Sequence, residues 1–356
     1  MHARSFVAVA FALLLCAAEP GIAQPRYRVI DLGTPGPEYV SSQALAINNQ
    51  GQVAGYGAQG TYGPFIAFRY GNGVMRPLRI AASRGELRFG RAINGRGWVA
   101  GDAMLARCEC LRAFIYDGTK ATILGHLAGP GVNGTSSAFG INRAGHATGV
   151  TQVAIPGSPY LQEHAFVWNG TRMRDLGTLG GTYSVGYAIN RWGWVAGRSQ
   201  MADEESQHAF VYKAGALHDL GVLGGEFSMA VAINDKGWVS GASTTYYGSP
   251  VQAFIHKGRA MRGLGPQTYW GYGINTHGWV VGVGSAPGGG GAINAFLYDG
   301  STVHNLNDLI EGPAAAKGWL REAYGINDRG QIVGVWFPDR TEPIEHAFLL
   351  TPIEGQ

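Results

Sequence analysis

Charge is scarce in this chain. Asp, Glu, Lys and Arg make up 14% of its 356 residues and the formal balance is only +3. A nucleic-acid binder needs a concentrated basic excess, so no nucleic-acid partner is expected. Cysteine is nearly absent too, with Cys16, Cys108 and Cys110 as the full set. Three cysteines cannot build a disulfide framework, and a lone C-x-C lacks the four ligands of a structural zinc site. Cys108 and Cys110 form a C-x-C pair that, in an oxidising compartment, either closes a local disulfide or stays as two thiols. Beyond the N-terminus no apolar run approaches the ~20 residues of a membrane span. H-E-x-x-H, a P-loop and a nucleophile elbow are all missing. No metal, cofactor or catalytic residue is therefore assigned.

The N-terminus reads as an export signal. His2 and Arg4 flank an apolar stretch from Phe6 to Ala18, and Gly21-Ile22-Ala23 supplies the small residues of a cleavage site. The bulky Leu15 before Cys16 argues against a lipid anchor. Residues 1–23 are thus expected to be removed, leaving 24–356 as one periplasmic or secreted domain.

What the chain has in quantity is glycine, 57 residues, and repetition. The pattern I-N-x-x-G occurs seven times, at Asn48, Asn94, Asn142, Asn190, Asn234, Asn275 and Asn327. A second glycine stands seven residues after each asparagine, as at Gly55 and Gly197. An Ala-Phe pair also occurs seven times, ending in Phe68, Phe114, Phe166, Phe210, Phe254, Phe296 and Phe348. Asparagine followed by glycine at the fourth position specifies a tight turn, and this accounts for all seven asparagines without a binding ladder. Asn169-Gly170 and Asp299-Gly300 mark a second hairpin. The sequons at Asn133 and Asn169 are read as turn sequence as well.

Each repeat therefore holds four strands. In the fourth copy they read as Ser184–Ile189, Trp194–Arg198, Ala165–Trp168 and Met173–Leu176, first to fourth. Positions four and two before each asparagine are always small, as in Ala44 and Ala46, while Phe89, Phe139, Tyr187, Tyr272 and Tyr324 are large. Period-two alternation puts small and large on opposite faces, so large residues of one copy fill space left by the next, nearest a central axis. The chain starts with a lone fourth strand, Tyr27 to Gly33, and ends with a lone third strand, His346 to Leu350. Pairing those ends predicts an all-β, closed seven-bladed β-propeller. Pro77, in a fourth strand, fits only an outer edge.

The motifs His164-Ala165-Phe166-Val167-Trp168, Asp175-Leu176-Gly177-Thr178-Leu179-Gly180-Gly181 and Ala188-Ile189-Asn190 through Gly197 resemble the HAF-repeat family of extracellular proteins. The run from His208 through Gly241 matches equally, and the resemblance covers nearly the whole mature chain. It implies export and repetition, and no activity. The leading His departs to Ile66, Arg112, Gln252 and Asn294 elsewhere, which argues against a shared role for it.

Length varies in two places only. The gap from the second glycine to the Ala-Phe phenylalanine runs from 13 to 17 residues, and that from the fourth-strand leucine to the next asparagine from 11 to 21. In an up-and-down blade both connections lie at one end, where binding is expected. Six residues before the asparagines stand Ser42, Arg88, Ser136, Ser184, Ser228, Tyr269 and Arg321. The exceptions to serine form an arc, Tyr269, Arg321, Ser42, Arg88, flanked by Trp270 and Glu322 and overhung by the loop Glu311 to Lys317. Arg88, Tyr269, Trp270, Arg321 and Glu322 are the candidate site for an anionic or sugar-like ligand. The plainer reading is loop-end residues paired with carboxylates. His164, His208 and His346 fall on separate blades and are not expected to share a metal. Trp98, Trp194, Trp238 and Trp279 are expected to pack between blades or cover the turn face rather than form a carbohydrate platform. The glycine-rich run Gly284 to Gly291 reads as a surface loop. The function expected is a non-catalytic binding or scaffold module for a glycan or an extracellular protein. The alternative is a polysaccharide lyase or hydrolase.

Overall fold

The computed structural model describes residues 25–353 apart from 62, 82–83, 286–291, 314–316 and 343. The proposed signal at 1–23, the centre of the Glu311–Lys317 loop and most of the glycine-rich run lie outside the described residues. The rest is all-β. Strands Ser41–Ile47, Val53–Ala58, Phe65–Gly71 and Val74–Pro77 form one antiparallel four-stranded unit in chain order. The pattern repeats along the chain, and Pro77 sits on an outer strand, as its missing N–H requires.

One eight-stranded sheet contains two such units, joined by a single bridge between Glu163 and Tyr183. Here the sequence reading needs correction. Ala165–Trp168 pairs with the preceding Ala147–Ala154 and with Met173–Asp175, not with Ser184–Arg198. Gly180–Ile189 and Val195–Met201 instead continue into Gln207–Lys213 and Ala216–Asp219. The short hairpins make chain-local pairing the cheap solution, because each turn already presents the next strand.

The two chain ends meet. Tyr27–Gly33 pairs antiparallel with His346–Pro352, which pairs in turn with Ile332–Phe337. Phe348 faces Asp31 there, as Phe166 faces Asp175 and Phe210 faces Asp219 within continuous units. All seven Ala-Phe phenylalanines are fully buried.

The glycines follow from the packing. A Cβ on Gly55 would lie under 3 Å from the Gln43 carbonyl and the Phe68 ring, and the same clash recurs at Gly197 with Val185 and Phe210. The cause is a bulge in every first strand, where register shifts between positions four and two before the asparagine, as between Ala44 and Ala46. A bulge turns one extra residue out of the ladder. It therefore replaces the simple two-residue alternation expected there. The extra residue points to the axis: Leu45, Arg91, Phe139, Tyr187, Val231, Tyr272 and Tyr324 line one axial cavity of about 380 Å³.

The asparagines do more than make turns. Each Oδ1 accepts from the backbone N–H groups two and four residues on, at 2.9–3.1 Å. Each Nδ2 also donates to the carbonyl of the next asparagine, and Asn327 donates back to Asn48, at 2.8–3.3 Å. Burial makes these bonds count, since an unmet buried donor costs ~1–3 kcal/mol. At this end Trp98, Trp194 and Trp238 rest on the turn glycines of the following units, Gly145, Gly237 and Gly278.

Candidate functional site

The axis and its loop-side mouth form the site. The bulged residues project inward, and residues five before the asparagine pair with second-strand residues, as Gln43 with Tyr56, Phe89 with Asp102 and Val185 with Arg198. Their rings make a belt. Tyr56 packs edge-on against Phe89 at 4.9 Å, and Arg91 lies over both Phe89 and Phe139 at 4.9 and 5.1 Å. Phe139 meets Tyr187 at 5.7 Å, and Arg198 lies over Tyr183 and Phe227. Phe227 meets Trp270, Trp270 stacks on Tyr272, and Tyr272 meets Tyr324 at 5.1 Å. Phe89, Phe139, Tyr187, Trp270, Tyr272 and Tyr324 are all only partly buried, so ring surface is left for a ligand.

Polar groups punctuate the belt. Arg91 Nε donates to Asp102 at 2.5 Å, and the Asp102 carboxyl is almost fully buried. Burial pushes the Asp102 pKa up, and Arg91 opposes the rise only in part. Asp102 Oδ1 and Arg198 Nε have no partner among the described residues. Tyr324 donates to Glu322 at 2.8 Å, and Arg321 reaches both Glu322 and Glu345. Gln43 donates to Glu345 at 3.0 Å. Burial raises the pKa of Tyr187 to about 12 and raises Tyr272 and Tyr324 further, the last with help from the Glu322 charge. These phenols therefore stay as neutral O–H groups near neutrality.

The five residues singled out in the sequence divide. Trp270 and Glu322 join the belt. Arg321 stands behind Glu322, held by Glu345 and Glu322. Arg88 pairs with Glu86 at 3.8 Å, and its buried Nε has no hydrogen-bond partner among the described residues. Tyr269 is half-buried beside Trp270. The serines of the same position face the neighbouring unit instead of a ligand. Ser184 Oγ accepts from Ala165 N–H and donates to the Gly177 carbonyl, and Ser42, Ser136 and Ser228 repeat both bonds. Sequence reasoning missed Arg91, which the bulge turns to the axis, Tyr56, Asp102 and Arg198, which pair with the residues five before the asparagine, and Glu345, which bonds Gln43 and Arg321.

His164, His208 and His346 each bond the aspartate of their own fourth strand, Asp175, Asp219 and Asp31. No group of three metal-ligating side chains occurs among the described residues. Cys108 and Cys110 are disulfide-bonded. No described helix is long and apolar enough to cross a membrane.

The fold and this axial site define a β-propeller. The chain is similar to the β-propeller domain of the Trilobed protease from Pyrococcus furiosus, described as having an open velcro topology. The TM-score is 0.54 at 9% identity, over 92% of this chain and 97% of that one. It is also similar to a puromycin-hydrolyzing peptidase from Mycobacterium tuberculosis, with TM-score 0.53 at 12% identity. That match covers 86% of this chain and about half (51%) of the peptidase. At such identities the likeness concerns the fold alone. No protein-family model matches the chain, and no curated protein matches it in sequence.

Proposed function

We propose that this chain is an exported, closed seven-bladed β-propeller of the HAF-repeat type, acting as a non-catalytic module that binds a neutral glycan at its loop-side mouth. Closure is supported by the terminal strand pair and by the Asn327-to-Asn48 bond. The observation that carries the binding role is the belt of part-exposed rings from Phe89 round to Tyr324, interleaved with Arg91, Arg198 and Glu322. Rings stack on the apolar faces of sugars, while neutral phenols and fixed ions bond their hydroxyls.

Two features favour a neutral ligand held without turnover. The loop-side connections, 306–318 aside, carry four Lys and Arg against nine Asp and Glu, which repels a polyanion. The mouth carboxylates Glu322 and Glu345 are already engaged by Arg321, Gln43 and Tyr324, Asp102 is almost fully buried against Arg91, and the phenols are far from deprotonation. A general base needs a free proton acceptor within ~3 Å of its substrate.

The test is a glycan array probed with mature protein and with W270A and Y272A. Retention of a neutral glycan, lost in both variants and without product release, is expected. Product release would replace this reading with the polysaccharide-enzyme alternative. Binding unaffected by both variants would remove the mouth as the site.

A further inference from the structure

The two ends of the molecule carry opposite charge. The tight turns between first and second strands, and between third and fourth, hold nine Lys and Arg against four Asp and Glu. The loop connections lean the other way, as given above. A chain of net +3 thus concentrates its basic excess on the turn face.

Those four turn carboxylates are locally committed. Asp117 accepts from the N–H groups of its own turn, which holds its carboxyl down at about 2, and in Asp299 burial is outweighed by the same turn bonds and by His304, again to about 2. Asp328 accepts from Thr276 and Asn49, and Asp235 accepts from Arg191 N–H. Among the described residues only Arg191 of the nine turn cations makes a salt bridge, to Asp235 at 3.8 Å. Lys120, Arg143, Arg172 and Arg259 are exposed and form no ion pair there. Other cations lie on indoles: Arg96 over Trp98, and Lys236 and Lys257 over Trp238. Trp192 is 60% exposed with Arg191 stacked at 4.3 Å.

We infer that the turn face docks on an anionic bilayer surface, a planar layer of phosphate headgroups. The fixed turn length makes this face a ring of similar turns around one central pit of about 400 Å³ lined by the seven asparagines. Its cations are spread over turns of separate repeats, which matches a sheet of charges. Trp192 provides the amphipathic ring that suits a headgroup layer. Docked this way, the molecule turns its acidic loop end and the aromatic mouth away from the membrane. The inference does not depend on what the mouth binds.

The test is co-sedimentation of the mature protein with phosphatidylcholine vesicles, with and without phosphatidylglycerol. Each cation near such a surface contributes ~1 kcal/mol, or about fivefold in binding, screened within a Debye length. Binding to anionic vesicles at low salt, absent on neutral ones and lost at high salt, is expected. The variant K120Q/R143Q/R172Q/R259Q should bind at least about a hundredfold more weakly with an unchanged melting temperature. The loop-face variant R79Q/R84Q/R107Q should bind as the parent does. The inference is overturned if anionic vesicles are not bound, or if the two variants lose binding equally. It is also overturned if soluble polyuronate or DNA displaces no vesicles yet is itself bound through these four residues.

Discussion

Replacing Asn142 tests the bond that links one repeat to the next. Its Oδ1 accepts from Ala144 and His146 N–H at 3.0 Å, and its Nδ2 donates to the Asn190 carbonyl at 3.1 Å. The residue is 4% exposed, so water replaces little of this. Asn142→Ala removes three bonds worth ~1 kcal/mol each and leaves the Ala144 and His146 N–H groups and the Asn190 carbonyl without this partner, for a loss of about 3 kcal/mol. Urea unfolding at unchanged slope measures it. Asn142→Asp separates the two roles, because it keeps the accepted bonds but sets a carboxylate oxygen against the Asn190 carbonyl. Burial and that oxygen outweigh the two accepted N–H bonds and raise the folded pKa of the new acid above its unfolded ~3.9. Such a group stabilises below the unfolded pKa and loses that contribution as pH rises through the folded one. The deficit of Asn142→Asp should therefore shrink between pH 7 and pH 4, while that of Asn142→Ala stays constant. A loss under about 1 kcal/mol for Asn142→Ala, or a pH-independent deficit for Asn142→Asp, would refute the reasoning.

Gly197→Ala drives a Cβ into the Val185 carbonyl and the Phe210 ring, so it should cost ~3 kcal/mol or more, or prevent folding, as read by thermal melting. Ser228→Ala leaves the buried Ala209 N–H and the Gly221 carbonyl unmet and should cost ~2 kcal/mol in urea unfolding. Asp175 is raised by burial but held lower on balance by the His164 hydrogen bond and the Gly177 N–H. Its folded pKa is depressed, so its contribution is present above the unfolded pKa and disappears as pH falls through the folded one. Asp175→Asn should flatten the acid limb of the stability curve below about pH 4, and an unchanged limb would exclude Asp175 as its source.

Much of the fold was legible because turns are local. The spacing from Asn190 to Gly193 and Gly197 carries the whole chemistry of one hairpin, and Pro77 marks an outer strand. The chain ends were legible for the same reason, since a lone fourth strand needs a third. The axial site was not. Every copy contains the bulge, so no copy shows a spacing mismatch that would reveal it, and Tyr187 and Tyr324 read as filler between repeats. Without the bulge the pairing of Phe89 with Asp102 or Val185 with Arg198 cannot be assigned.

Two further features were readable by accounting. A turn uses the oxygen of Asn48 and leaves its amide donors unspent, which points to a partner elsewhere. Aspartate stands eleven residues after His164 and His208, whereas Pro77, Ile123, Gly263 and Asn305 occupy that place in copies without the histidine. That covariation within one chain marks the His–Asp bond as structural.

Closure is tested most directly by hydrogen–deuterium exchange across Tyr27–Gly33 in the purified protein. If this strand completes the last unit, its amides bonded to His346–Pro352 exchange as slowly as their counterparts in Met173–Asp175 and Ala216–Asp219. Exchange at the rate of unpaired chain, with the other fourth strands protected, would contradict a closed ring.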